Sequence, residues 1–182
     1  SVEEEIRDLL RKLREIVDRV RRRLKEILEE STRRLEEVTR RIDESNEDLK
    51  RAVDDVKRRN TRDEEVKREL DRKLKKIHDE DKREKDKLEK IHRDLTDKLE
   101  KAKRKLEELV KRIEKEVEDV RRENKLDKEV LRKLEEEIEK LRKEAKKILD
   151  EYRKLVEDLA DKIKKILDRN RKLIEELVRE VK

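Results

Sequence analysis

Leucine, isoleucine and valine recur along this chain at steps of three and four. In the first third the stripe runs through Val2, Ile6, Leu9, Leu13, Val17, Val20, Leu24 and Ile27, passes Ser31, and resumes at Leu35, Val38 and Ile42. It then passes Ser45 and continues through Leu49, Val53 and Val56. Such steps place every member on one face of an α-helix. From Ile6 the steps 3, 4, 4, 3, 4 close on 18 residues, so Ile6 maps to Leu24 and then to Ile42. Five turns per repeat is about 3.6 residues per turn, the value of a straight α-helix. A seven-residue repeat would wind left-handed and an eleven-residue repeat right-handed. This one predicts nearly untwisted helices. The middle of the chain keeps the period (Leu70, Leu88, Leu106), and so does the end (Leu131, Leu149, Leu167).

The stripe breaks twice, each time at an N-x-x-D sequence: Asn60 to Asp63 and Asn124 to Asp127. Asparagine is the best replacement for glycine at a helix C-terminus, because it tolerates the left-handed conformation. Aspartate is a strong N-cap. Leu126, just before Asp127, is placed to staple onto Leu131. Thr61 and Glu64 offer a competing capping box that would start the second helix two residues earlier. Ser1 and Glu4 form a similar box at the chain start. The predicted helices are about 2–59, 64–123 and 128–181, with loops 60–63 and 124–127. Ser45 and Asp48 resemble another cap, but the stripe runs in phase from Ile42 to Leu49, so no break is expected at 43–48.

Loops this short force antiparallel neighbours. The predicted fold is all-α: a monomeric, up-down-up, antiparallel three-helix bundle, a single rod over 1–182 built on the 18-residue repeat. Helices of this length would run roughly 80–90 Å at ~1.5 Å per residue.

Charge is extreme. Asp, Glu, Lys and Arg make up 63% of the chain against 30% hydrophobic residues, a balance that ordinarily reads as disorder. Here 60 basic residues are offset by 54 acidic ones, leaving +6, and the apolar residues are periodic. That combination belongs to long helices. Short basic runs such as Arg21–Arg22–Arg23 are followed by acidic residues within a turn, and no aromatic rings interleave for base stacking, so no nucleic-acid partner is expected. The lack of cysteine removes disulfides, thiol catalysis and Cys-based zinc sites. No apolar run approaches the ~18 residues of a membrane span. A chain beginning at Ser1, as after removal of a tag, suits cytosolic recombinant expression.

Glycine, proline, cysteine, methionine, phenylalanine, tryptophan and glutamine do not occur at all. With the 18-residue repeat, the paired N-x-x-D loops and a Leu/Ile/Val core under a Glu/Lys/Arg surface, the whole chain resembles the de novo designed, parametrically generated, antiparallel untwisted three-helix bundles. The resemblance implies a very stable structural scaffold, monomeric rather than homo-oligomeric, with no natural activity, cofactor or partner. The alternative is an interaction module that associates through the apolar-poor segment Asp79–Lys87.

Several polar residues interrupt the stripe. Ser31 and Ser45 replace apolar residues, and Asn46 occupies the position of Leu10 and Leu28. By the 18-residue repeat, Asp81 matches Leu99 and Val117, Glu84 matches Val66 and Val120, and His92 matches Leu74 and Val110. Asn170 and Tyr152 match Leu134, and His78 flanks Ile77. A buried polar group costs several kcal/mol unless it is hydrogen-bonded, so these should occur in groups. Antiparallel pairing through the two loops brings Ser45, Asn46, His78, Asp81 and Asn170 to neighbouring levels. It brings Ser31 to His92, and Thr96 near Tyr152. The pattern predicts buried hydrogen-bond networks between helices; a partly open core edge would leave the same residues solvated. Glu89 and His92 form one E-x-x-H, but di-iron bundles need two with further inward carboxylates, so no metal site is expected. A Ser45–His78–Asp81 set would have neither an oxyanion hole nor an open pocket, so no enzyme is expected.

Overall fold

A computed structural model describes residues 1–59 and 62–181, with side chains to Arg179. Three helices account for nearly all of them: α1 (Val2–Arg59), α2 (Glu64–Arg122) and α3 (Lys128–Val181). No strand occurs among the described residues. Helix α1 passes through 43–48 without a break, and Asp79–Lys87 is helical throughout.

The helix ends follow from local chemistry. The Glu4 amide donates to Ser1 Oγ at 3.3 Å, and the Ser1 amino group lies 3.7 Å from the Glu4 carboxylate, so the first box closes in both directions. Asp63 caps α2 by accepting from the Val66 amide at 3.3 Å, and Asp127 caps α3 by accepting from Val130 at 3.0 Å. The expected caps at Asn60 and Thr61 lie outside the described residues.

Helix α2 stops at Arg122, one residue before the expected boundary. Asn124 takes φ 54°, the left-handed region. Its amide donates to the Arg121 carbonyl, and the Lys125 amide donates to the Val120 carbonyl, both at 3.1 Å. These two bonds form a Schellman ending, which satisfies carbonyls that the helix itself leaves open.

The helices pack as an antiparallel three-helix bundle. Arg14 pairs with Glu114 and Arg21 with Glu107, so α2 numbers fall as α1 numbers rise. Asp43–Lys85 and Lys57–Asp71 repeat that sense. The fold comprises two compact units, Ser1–Glu29 with Leu95–Val156, and Glu30–Asp94 with Glu157–Lys182.

The first unit has one apolar core, in which Leu13, Leu24, Leu99, Leu106 and Leu141 are all but fully buried. Each such side chain stabilises the fold by roughly 1.5–3 kcal/mol before chain entropy is set against it. The second unit has two apolar clusters. One gathers Val38, Ile42, Leu88 and Leu159; the other gathers Leu49, Val53, Leu70, Ile77 and Leu177.

Candidate functional site

Among the described residues the buried polar side chains are Ser31, Asp81 and Asn170. All three lie in the second unit, and each stands where the repeat calls for an aliphatic residue. Two groups form around them.

The first group joins α1 to α2. Ser31, with no exposed surface, places Oγ 3.0 Å from His92 Nδ1. Thr32 Oγ1 lies 3.3 Å from His92 Nε2. The imidazole is therefore held between two hydroxyls. Each hydroxyl can donate or accept, so either neutral tautomer is satisfied. The expected Ser31–His92 pair is present. Thr32 was not legible beforehand, because it lies one step off the apolar stripe.

The second group joins all three helices. Asn170 Nδ2 on α3 donates to Asp81 Oδ2 on α2 at 2.7 Å. Burial pushes the Asp81 carboxyl above the usual carboxylate range. The Asn170 hydrogen bond, the nearby Asn46 amide on α1 and, more weakly, His78 one turn before Asp81 oppose that shift, while the neighbouring Glu80 adds to it. Asn46 Oδ1 and His78 Nε2 are buried without a hydrogen-bond partner. The layer lies between the two apolar clusters of its unit, Leu88 to one side along α2 and Ile77 to the other.

A charged rim flanks this layer. Arg169 on α3 reaches Glu84 at 2.6 Å and Glu80 at 3.4 Å, both on α2. Glu84 was placed on the core stripe by the repeat. It is half-buried, its side chain 16% exposed, and its carboxylate turns to the seam to meet Arg169. Arg169 and Glu80 carry no mark in the sequence, where they are two charges among many.

Tyr152 is buried in the apolar core of the first unit and belongs to neither polar group; burial, followed by the charge of Glu151, raises its phenol above the ordinary tyrosine value. Thr96 is half-buried in the same unit. Ser45 is half-buried beside Asn46, and none of the bonds described above involves it.

The chemistry open to these groups is narrow. A serine–histidine–aspartate relay needs an imidazole bonded on both sides. His78 Nε2 has no partner, and the histidine that is bonded on both sides, His92, lies between hydroxyls instead. Among the described residues no three His, Cys, Asp or Glu side chains converge as metal ligands. No helix among the described residues is long and apolar enough to cross a membrane. No protein family matches the chain, and no curated protein or solved structure is similar to it.

Proposed function

We propose that the chain is a designed structural scaffold, a stable helical bundle without catalytic or cofactor chemistry of its own. One observation carries this reading. The buried hydroxyl, imidazole, carboxylate and amide groups are spent largely on one another, in hydrogen bonds between helices inside an aliphatic core. Groups used in this way align helices; a catalytic site presents them to a substrate. The 18-residue repeat and the missing glycine and proline support a designed origin.

The test is a hydrolysis screen with chromogenic esters and phosphates, run beside a variant carrying His78→Leu and His92→Leu. Equal rates are expected. A rate that collapses in the variant overturns the reading. Light scattering should give a single species at the chain mass of 22.5 kDa. A multiple of that mass would favour association between copies.

A further inference from the structure

A groove of about 470 Å³ runs between α1 and α3 in the first unit. These two helices run parallel. Lys12, Arg19 and Arg23 line one bank, and Arg142, Lys146 and Arg153 line the other. On each helix the cations span eleven residue steps, roughly 16 Å or three turns at ~1.5 Å per residue. The only carboxylates along the groove are Glu15 and Asp150.

The state of those cations is what sets the groove apart. Among the described residues none of the six makes an ion pair. The groove between α1 and α2 in the same unit is also rich in cations, but its four arginines are occupied, leaving Lys111 and Lys115 as its only cations without an ion pair among the described residues. There Arg7 meets Glu3 at 3.4 Å, Arg11 meets Asp8 at 2.6 Å, Arg14 meets Glu114 at 3.0 Å, and Arg121 meets Glu118 at 3.3 Å. An excess of unpaired positive charge over a concave surface attracts an anionic partner.

The floor narrows the class of partner. It is aliphatic, made by Ile16, Val20, Ala145 and Leu149. Ala145 stands where the repeat places Ile163 one period later, so a small side chain hollows the seam at that point. Ala145 is nonetheless 4% exposed, a true floor residue. Bases of single-stranded nucleic acid stack chiefly on aromatic rings, and the chain's one aromatic, Tyr152, is buried in the core. An amphipathic helix fits both features. Its aliphatic face enters a hydrophobic groove, and its flanking charges meet the banks.

We propose that this groove docks an acidic amphipathic helix, with leucines over Ala145 and glutamates against the six cations. The site is separate from the polar layer of the second unit.

The probe is a dye-labelled synthetic peptide of about 18 residues, five turns, with leucine on one face and glutamate on the other. Fluorescence anisotropy should give saturable binding that weakens as salt is raised, as expected for charges separated by solvent. Arg19→Glu with Lys146→Glu should weaken it at least about tenfold, a change of 1.4 kcal/mol. Ala145→Leu should weaken it comparably without altering charge, because it fills the hollow. Circular dichroism verifies that both variants fold, and Arg40→Glu on α1 of the second unit serves as a charge control that leaves binding intact. The proposal is overturned if the peptide does not saturate, or if both groove variants bind it like the parent. It is also overturned if a glutamate–serine peptide of equal charge, or a single-stranded oligonucleotide, binds as tightly and competes for the groove, for then the site reads charge alone.

Discussion

Replacing Ser31 by alanine removes one oxygen from a position with no exposed surface. His92 Nδ1 then loses the partner that stood 3.0 Å away. A buried polar atom left unpaired costs about 1–3 kcal/mol. The ring is half-buried and keeps Thr32 on its other nitrogen, so the lower half of that range applies, about 1–2 kcal/mol. His92→Leu acts differently. It restores the aliphatic residue that the repeat places at Leu74 and Val110. The stranded Ser31 hydroxyl can turn back to a carbonyl of its own helix, four residues earlier, so the cost is about 0–1 kcal/mol. With both substitutions no imidazole remains to be stranded. The double variant should therefore be about as stable as His92→Leu alone, and the coupling between the sites should be about 1 kcal/mol or more. Alanine is the right probe at Ser31, since leucine would overpack the site and add a second effect. Guanidinium titrations of the four proteins at pH 7, warmed if the parent resists denaturant, measure the cycle. Effects that add within about 0.3–0.5 kcal/mol would refute the pairing, because that is the behaviour of independent sites.

Asp81 has a folded-state pKa above its unfolded value, so its protonated form is the one folding favours. Its contribution to stability is fully present below the unfolded pKa and is lost as pH rises through the folded one. Denaturation midpoints between about pH 4 and pH 8 should fall less steeply with pH in Asp81→Asn than in the parent; identical slopes would contradict the burial argument. At the α2–α3 turn, Asn124→Ala forces a β-carbon into the left-handed region and should cost about 1–2 kcal/mol, whereas Asn124→Gly should be neutral or better. Equal stabilities for the two in thermal melts would count against the Schellman ending. Helical circular dichroism of the parent is expected to persist above about 90 °C, the hyperstable range. A midpoint near about 60 °C, typical of mesophilic domains, would mean that the polar layer weakens the bundle more than its hydrogen bonds repay.

The helices were legible because one physical rule generates them. An apolar stripe at 3.6 residues per turn leaves few alternatives, and N-x-x-D marks both ends of each loop. The one-residue shift at Arg122 reflects how a helix actually stops, by two bonds back from Asn124 and Lys125. Ser31, Asp81 and Asn170 were also legible, since a polar residue on the stripe faces the neighbouring helices, although Ser45 and Glu84 on the same stripe stay half-buried. Asn46 and His92 followed from antiparallel pairing. Tyr152 lies in the apolar core, where its ring is large and apolar enough to serve whatever its hydroxyl does. Arg169, Glu80 and Thr32 were hidden. Their positions flank the stripe, and the rotamer of a long or flanking side chain is decided by neighbours that periodicity does not encode. The groove over Ala145 was hidden for a related reason. Whether a cation is already paired depends on distances across a seam.

A stripe of threes and fours presents an aliphatic side chain at nearly every turn. Two such helices can slide past each other by a turn, ~5.4 Å, and still close an oily seam. Aliphatic contact alone is thus a poor proofreader of alignment. Ser31 with His92, and Asp81 with Asn46 and Asn170, supply what the leucines cannot. In any slipped arrangement these groups face hydrocarbon, and each unmet group costs on the order of 1–3 kcal/mol. The polar layer behaves like the notches of a key. It adds little to the grip of the bundle, but it makes one alignment of three nearly repetitive helices readable and the neighbouring ones wrong.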